Sequence, residues 1–444
     1  MLKEIDVVSV PQNNQTNGLT SRLSSLIASQ RRNLQNLSVL VFVNFLTAGI
    51  GFITSVKIAN TIGKETFGLL AYGFAIAAYG SVIIRFGLDR TLVRDLIHYP
   101  ERFGELVAAS LLLRWILFGV VLIGLLSWKI AAGAGSDISW GLLLVIIANS
   151  MMAMDLQPVY DSWQKMSRHA VYNLIQRCLY FVVIWVTILI APQKLSIFWI
   201  GAATLVSVVL YLIMQHNWAI PQIDMTTVTV PLFSAAIRMA RDNITILLAT
   251  IAGLSFGSLN QLVLKHYRGT AELGGYAAGW QIISIAMIFL TQIARIGNPA
   301  TARITKPGIS KRDKIKLLIK YSSVMCLAVC PVCLATIVWP EFILRLIYSP
   351  EYASGAGVLR IMGFYLSVFS ISAIASQYLV SSRQEILYFR NVMIGGLVSV
   401  AFSFILIPKL GAMGAILSLL FAHSLLIMMN WIVIFKHLMK VSSL

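Results

Sequence analysis

Residues 37–58 read LSVLVFVNFLTAGIGFITSVKI, twenty-two positions with one charge, Lys57, held back to the last turn. A helix of that length rises about 33 Å at ~1.5 Å per residue, enough to cross a ~30 Å hydrocarbon core. Equivalent blocks predict further spans over 67–88, 105–128, 139–160, 170–191, 195–216, 242–265, 275–297, 318–339, 355–380, 387–408 and 412–436. The chain is therefore read as an all-α integral membrane protein with about twelve transmembrane helices. Composition agrees, since 58% of its 444 residues are hydrophobic and 12% charged, against roughly 25% charged in soluble domains.

A net charge of +18 would point to nucleic acid in a soluble protein, but no basic cluster interleaves with exposed aromatics. Nucleic acid is excluded as a partner. Cys178, Cys326, Cys330 and Cys333 all fall inside apolar blocks with no His or carboxylate near them, so they read as small buried hydrophobes and no metal or cofactor is expected. The polar start lacks the pattern of a signal peptide. Residues 1–36 read as a cytoplasmic, mostly disordered tail in which 19–34, with Arg22, Arg31 and Arg32, lies along the inner leaflet.

Lys and Arg are distributed 25 to 9 between the two sides when both termini are placed inside, with Arg114 left within a span. Basic loops stay in the cytoplasm, so this bias predicts cytoplasmic termini. The loop 303–320 is the strongest anchor.

The halves of the chain resemble each other. Gly63, Gly68, Ala71 and Gly73 match Gly269, Gly274, Ala277 and Gly279 at a constant offset of 206, and Ser167-Arg168 matches Ser382-Arg383 at 215. Six spans per half give parallel repeats related by an axis along the membrane normal, which face each other across a central cleft. The expected layout is a first bundle over 37–216, a cytoplasmic linker over 217–241 with an amphipathic piece at 233–239, a second bundle over 242–436 and a tail over 437–444.

The run Ile62-Gly63-Lys64-Glu65-Thr66-Phe67-Gly68-Leu69-Leu70-Ala71-Tyr72, with Phe86-Gly87-Leu88 and Arg94 after it, resembles the first hairpin of the polysaccharide exporter family. These are the O-antigen-type flippases of the multidrug/oligosaccharidyl-lipid/polysaccharide superfamily. Asn260, Leu264, Glu272, Leu273, Gly274 and Tyr276, and later 340–348, Val358-Leu359-Arg360 and 405–415, resemble its second half. The resemblance implies a non-enzymatic carrier in a bacterial inner membrane. Its passenger would be an undecaprenyl-diphosphate-linked oligosaccharide, moved to the outer leaflet for O-antigen, capsule or exopolysaccharide synthesis, beside polymerase and chain-length components. The lipid II flippases of the superfamily are expected to have fourteen spans, from which this chain departs.

A diphosphate headgroup calls for a cationic, hydrated cleft. Arg114 lies about nine residues into its span, ~13 Å at helical rise, and a charge at that depth needs a partner or water. Arg177, Arg360 and Arg390 are further candidates. Arg177 has an alternative role as the buried partner of Asp155, which is also the carboxylate considered for ion coupling. Asn44, Asn260, Gln261 and Gln281 are candidates to line the cleft or to bond helices together. The run 253–258, Gly-Leu-Ser-Phe-Gly-Ser, predicts a bend in the seventh span.

Two rival readings remain. A multidrug or small-cation antiporter would need a carboxylate-lined cleft. A membrane glycosyltransferase or O-antigen polymerase would need a large outer loop, and no such loop is present between the predicted spans.

Overall fold

A computed structural model describes residues 18–133, 139–228, 231–304, 310–382 and 384–440. All regular structure among them is helical, in fourteen α-helices: α1 (Gly18–Arg85), α2 (Leu88–His98), α3 (Phe103–Ala132), α4 (Trp140–Met151), α5 (Gln157–Ser162), α6 (Met166–Ile190), α7 (Ile197–Ala219), α8 (Leu232–Leu254), α9 (Ser258–Ile304), α10 (Lys311–Val338), α11 (Pro340–Ile347), α12 (Ala356–Ser381), α13 (Glu385–Leu410) and α14 (Ala412–Lys440). Of the tail expected to be mostly disordered, 1–17 lies outside the described residues and 18–36 is helical, continuous with α1.

Ten stretches are long and apolar enough to cross a membrane. Two of them are too long for one crossing: Val39–Arg85 has 47 residues and Ser258–Ala294 has 37, about 70 and 55 Å at helical rise. Each is broken once, at Gly63 (φ 80°, ψ 164°) and at Gly269 (φ 85°, ψ −179°). Those dihedrals are open essentially to glycine alone, so the residue type dictates where the two hairpins turn. Counting the arms on either side of these glycines gives twelve passes in two bundles of six.

The seventh pass is interrupted where a bend was expected. α8 ends at Leu254, a turn covers 255–257, and α9 starts at Ser258. The interruption lets one pass belong to both bundles. Below it, α8 packs on α3, with Thr91 Oγ1 donating to Asn243 Oδ1 at 2.7 Å. Above it, Asn260 donates to the Ala415 carbonyl at 3.1 Å inside the second bundle. The segment 233–239, expected in a linker, forms the opening turns of α8.

The fourth pass is broken as well. Pro158 has no N–H to donate four residues back, so it does not continue the helix of α4 but is accepted in the first turn of a new one. The chain leaves α4 through a short turn at Met152–Met154, extends at Asp155 (φ −62°, ψ 154°) and re-enters helix at Gln157. Arg114, 1% exposed, repairs the break by donating from Nη1 to the carbonyls of Ala153 (3.0 Å) and Asp155 (2.7 Å).

Candidate functional site

A cavity of about 1000 Å³ lies between the bundles, at the upper end of the size of small-molecule sites. Its walls come from both arms of α1, from α4, α5 and α6, and from the arm of α9 after Gly269. Along α1 it reaches from Leu40 to Ile58, a depth of about 27 Å at ~1.5 Å per residue.

The α6 wall shows how the sequence builds it. Met166, His169, Ala170, Asn173, Arg177 and Tyr180 all line the cavity, and their spacing of three, four and seven is that of one helical face. Gln281, Ser284, Ile285, Ile288 and Gln292 repeat the pattern on α9. Polar groups thus fall in register on facing walls, amides and hydroxyls above all. Among the described residues Asn173 Oδ1 and Gln292 Oε1 are buried acceptors with no protein partner, so both are available to a hydroxyl or to water.

Three groups carrying or able to carry charge line the walls: Arg177, Asp161 and His169. Asp161 Oδ2 accepts from Gln157 Nε2 at 3.5 Å, and His169 Nε2 meets the Tyr211 hydroxyl at 2.9 Å. Arg177 differs. Among the described residues no hydrogen bond or ion pair engages its guanidinium, so a cation stands unneutralised on the α6 wall.

The cavity is shut at the end bearing Gly63 and Gly269. Asn60 donates to the Ile347 carbonyl (3.1 Å) and accepts from Ser349 N–H (2.8 Å), capping the backbone groups left over where α11 ends. Lys64 donates from its backbone to Glu351 Oε1 (3.1 Å) and from Nζ to Ser354 (2.7 Å), and Tyr352 donates to the Ala59 carbonyl (3.1 Å). Gln281 donates to Ser55 Oγ and accepts from the Tyr348 hydroxyl at 2.9 Å. Toward the termini the cavity continues down to Asn44, Leu40 and Gln292.

Of the residues expected in the cleft, Asn44, Arg177 and Gln281 line it. The others do not. Arg114 is spent on the break in the fourth pass and on Asp89, 3.1 Å away. Asp155 does not meet Arg177 but pairs with Arg85 at 3.0 Å, and Arg85 also holds Asp89 at 2.8 Å. Two arginines and two aspartates thus neutralise one another inside the first bundle, which satisfies the demand that buried charge be paired. Asn260 bonds Ala415 and Ser403 within the second bundle, and Gln261 is absent from the cavity walls. Arg360 is exposed and donates to the Ile337 carbonyl at 3.1 Å, while Arg390 lines a separate cavity.

A model of the family described as polysaccharide biosynthesis protein matches residues 33–304. The probable low-salt glycan biosynthesis flippase Agl15 of Haloferax volcanii is 21% identical over 389 residues, 86% of this chain and 79% of that protein. Among solved structures, the lipid II flippase MurJ in an inward closed conformation superposes with a TM-score of 0.68 at 12% identity, covering 91% of this chain and 89% of that one. A multidrug resistance MATE family transporter of the MOP superfamily, in its inward-facing conformation, gives 0.67 at 13% identity over 89% and 96%. At such identities the likeness establishes a shared fold.

Proposed function

Because the chain belongs to the polysaccharide biosynthesis protein family, we propose that it is a flippase carrying a lipid-linked oligosaccharide across the membrane. The anchor in this reading is undecaprenyl diphosphate. The site is a bacterial inner membrane, and the product feeds O-antigen, capsule or exopolysaccharide assembly by polymerase and chain-length components.

The observation that carries the reading is the unneutralised Arg177 in a wall otherwise rich in amides and hydroxyls. A diphosphate is a strong acceptor that a guanidinium engages through paired N–H groups. Sugar hydroxyls both donate and accept, and so satisfy orphaned acceptors such as Asn173 Oδ1 and Gln292 Oε1. The carboxylate-lined cleft that a cation antiporter needs is a poor match for walls in which Asp161 is the one acidic side chain among the described residues.

With the termini cytoplasmic, as the charge bias predicts, the shut end faces outward and the cavity is loaded from inside. The bonds across that end contribute about 0.5–1.5 kcal/mol each. A dianion leaving a negative interior gains roughly 4–5 kcal/mol per 100 mV. Membrane potential therefore offsets a substantial part of the cost of opening the far side.

The test is a leaflet-resolved assay in proteoliposomes with a fluorescent polyprenyl-diphosphate sugar under imposed voltage. Accelerated appearance in the opposite leaflet, lost in Arg177→Ala, supports the reading. Equal flipping by protein-free vesicles, or by the Arg177→Ala chain, overturns it.

A further inference from the structure

Arg390 lies in a second cavity, of about 420 Å³, formed between the end of α13 and the facing end of α14 on the side of the termini. Its walls combine two cations, Arg390 and Lys436, with the amides Gln384 and Asn391 and with apolar side chains such as Leu387 and Ile432. Among the described residues no carboxylate lines it and neither cation has an ion pair.

Donors exceed acceptors here. Arg390 Nη2 reaches Asn391 Oδ1 at a stretched 3.4 Å, Asn391 gives its amide N–H to Asn430 Oδ1 at 3.0 Å, and Asn430 Nδ2, behind the wall, is buried without a partner among the described residues. An anion is what such a set lacks.

The setting selects which anion. Arg390 sits about 9 Å into α13 at ~1.5 Å per residue, close to the start of the apolar stretch Ile386–Leu410. The flanking surface is apolar and unpartnered, with Ile386 84%, Leu397 68% and Met428 55% exposed. A ligand arriving along that surface brings hydrocarbon with it, and basic pockets between helices at the cytoplasmic face suit lipid headgroups. We infer that this cavity is a binding site for the phosphodiester headgroup of an anionic glycerophospholipid from the leaflet on the side of the termini. It is distinct from the central cavity, since the two share no lining residue.

The experiment is native mass spectrometry of the purified full chain with phosphatidylglycerol, read as bound lipid per protein, and so it is independent of transport. Arg390→Gln with Lys436→Gln is expected to lower retention about tenfold, while Arg390→Lys with Lys436→Arg keeps it. Phosphatidylcholine is expected to bind at least tenfold more weakly, and millimolar inorganic phosphate not to displace the lipid. Equal retention in the charge-removed chain, equal binding of phosphatidylcholine, or displacement by inorganic phosphate would each overturn the assignment. A circular-dichroism melt of both variants confirms that the loss belongs to the site rather than to the fold.

Discussion

Asn60 and Ser349, 289 positions apart, meet at 2.8 Å across the shut end of the central cavity, the side-chain carbonyl of one receiving the backbone N–H of the other. With the bond from Asn60 to Ile347, one amide side chain joins the two bundles twice. Asn60→Ala removes both bonds, about 1–3 kcal/mol, and should raise the population open at that end five- to a hundredfold. The measurement is labelling of Ala48→Cys, in a chain whose four cysteines are replaced, by an impermeant thiol reagent added on the side opposite the termini. A rate within twofold of the parent would count against the latch.

Gly68 and Gly274 bring the second and eighth passes together backbone to backbone. A Cβ on Gly68 would overlap the Thr270 carbonyl and lie 2.8 Å from Gly274 N, and one on Gly274 would overlap the Lys64 carbonyl. Gly68→Ala and Gly274→Ala are therefore expected to lower the melting temperature by several degrees. Gly49→Ala, where an added Cβ meets nothing within 4 Å, is the control and should melt as the parent does.

Arg114 and Arg177 should separate stability from transport. Removing Arg114 leaves Asp89 and Asp155 less compensated and two buried carbonyls unpaired, a loss of about 3–5 kcal/mol. Asp155→Asn leaves Arg85 and Arg114 to share Asp89 alone and should act in the same direction. Arg177→Ala breaks no bond among the described residues, so its melting temperature should hold or rise while flipping falls at least tenfold. Thermal melts beside the flipping assay decide this, and a strongly destabilised Arg177→Ala chain would contradict the placement.

The interrupted seventh pass is expected to be a joint between the bundles. Gly253→Ala with Gly257→Ala finds room, since an added Cβ meets nothing at the first and only the Trp280 ring at 4.0 Å at the second, yet it favours continuous helix by about 2 kcal/mol. Transport should slow severalfold with no fall in melting temperature. Unchanged turnover would show that the break need not flex.

Much of the architecture was legible in the chain because spans and repeats are one-dimensional signals. The offset of 206 between Gly63 and Gly269, and between Gly68 and Gly274, aligned the two halves, while the turns at the first pair and the close crossing at the second emerge only in the structure. Depth along a helix was readable too, but depth does not say which way a side chain points. Arg114 and Arg177 were both placed deep, and only the break before Pro158 decides that one has carbonyls to serve. Pro158 was the available signal for that break. Asp161 was missed because the fourth span was ended one residue short of it, and His169 and Asn173 because their spacing with Arg177 was not followed around α6. The shut end escaped notice because Asn60 and Ser349 meet only through tertiary packing.

The central cavity draws its walls from four of the first six passes, the two arms of α1, the α4–α5 pass and α6, but from a single arm in the second half. In the proposed function the two halves therefore have unequal duties, the first presenting most of the surface that a passenger would meet. On that reading, altering side chains on α6 alone changes what the wall accepts while leaving undisturbed the bonds from α1, those of Asn60 and Lys64 among them, that close the cavity.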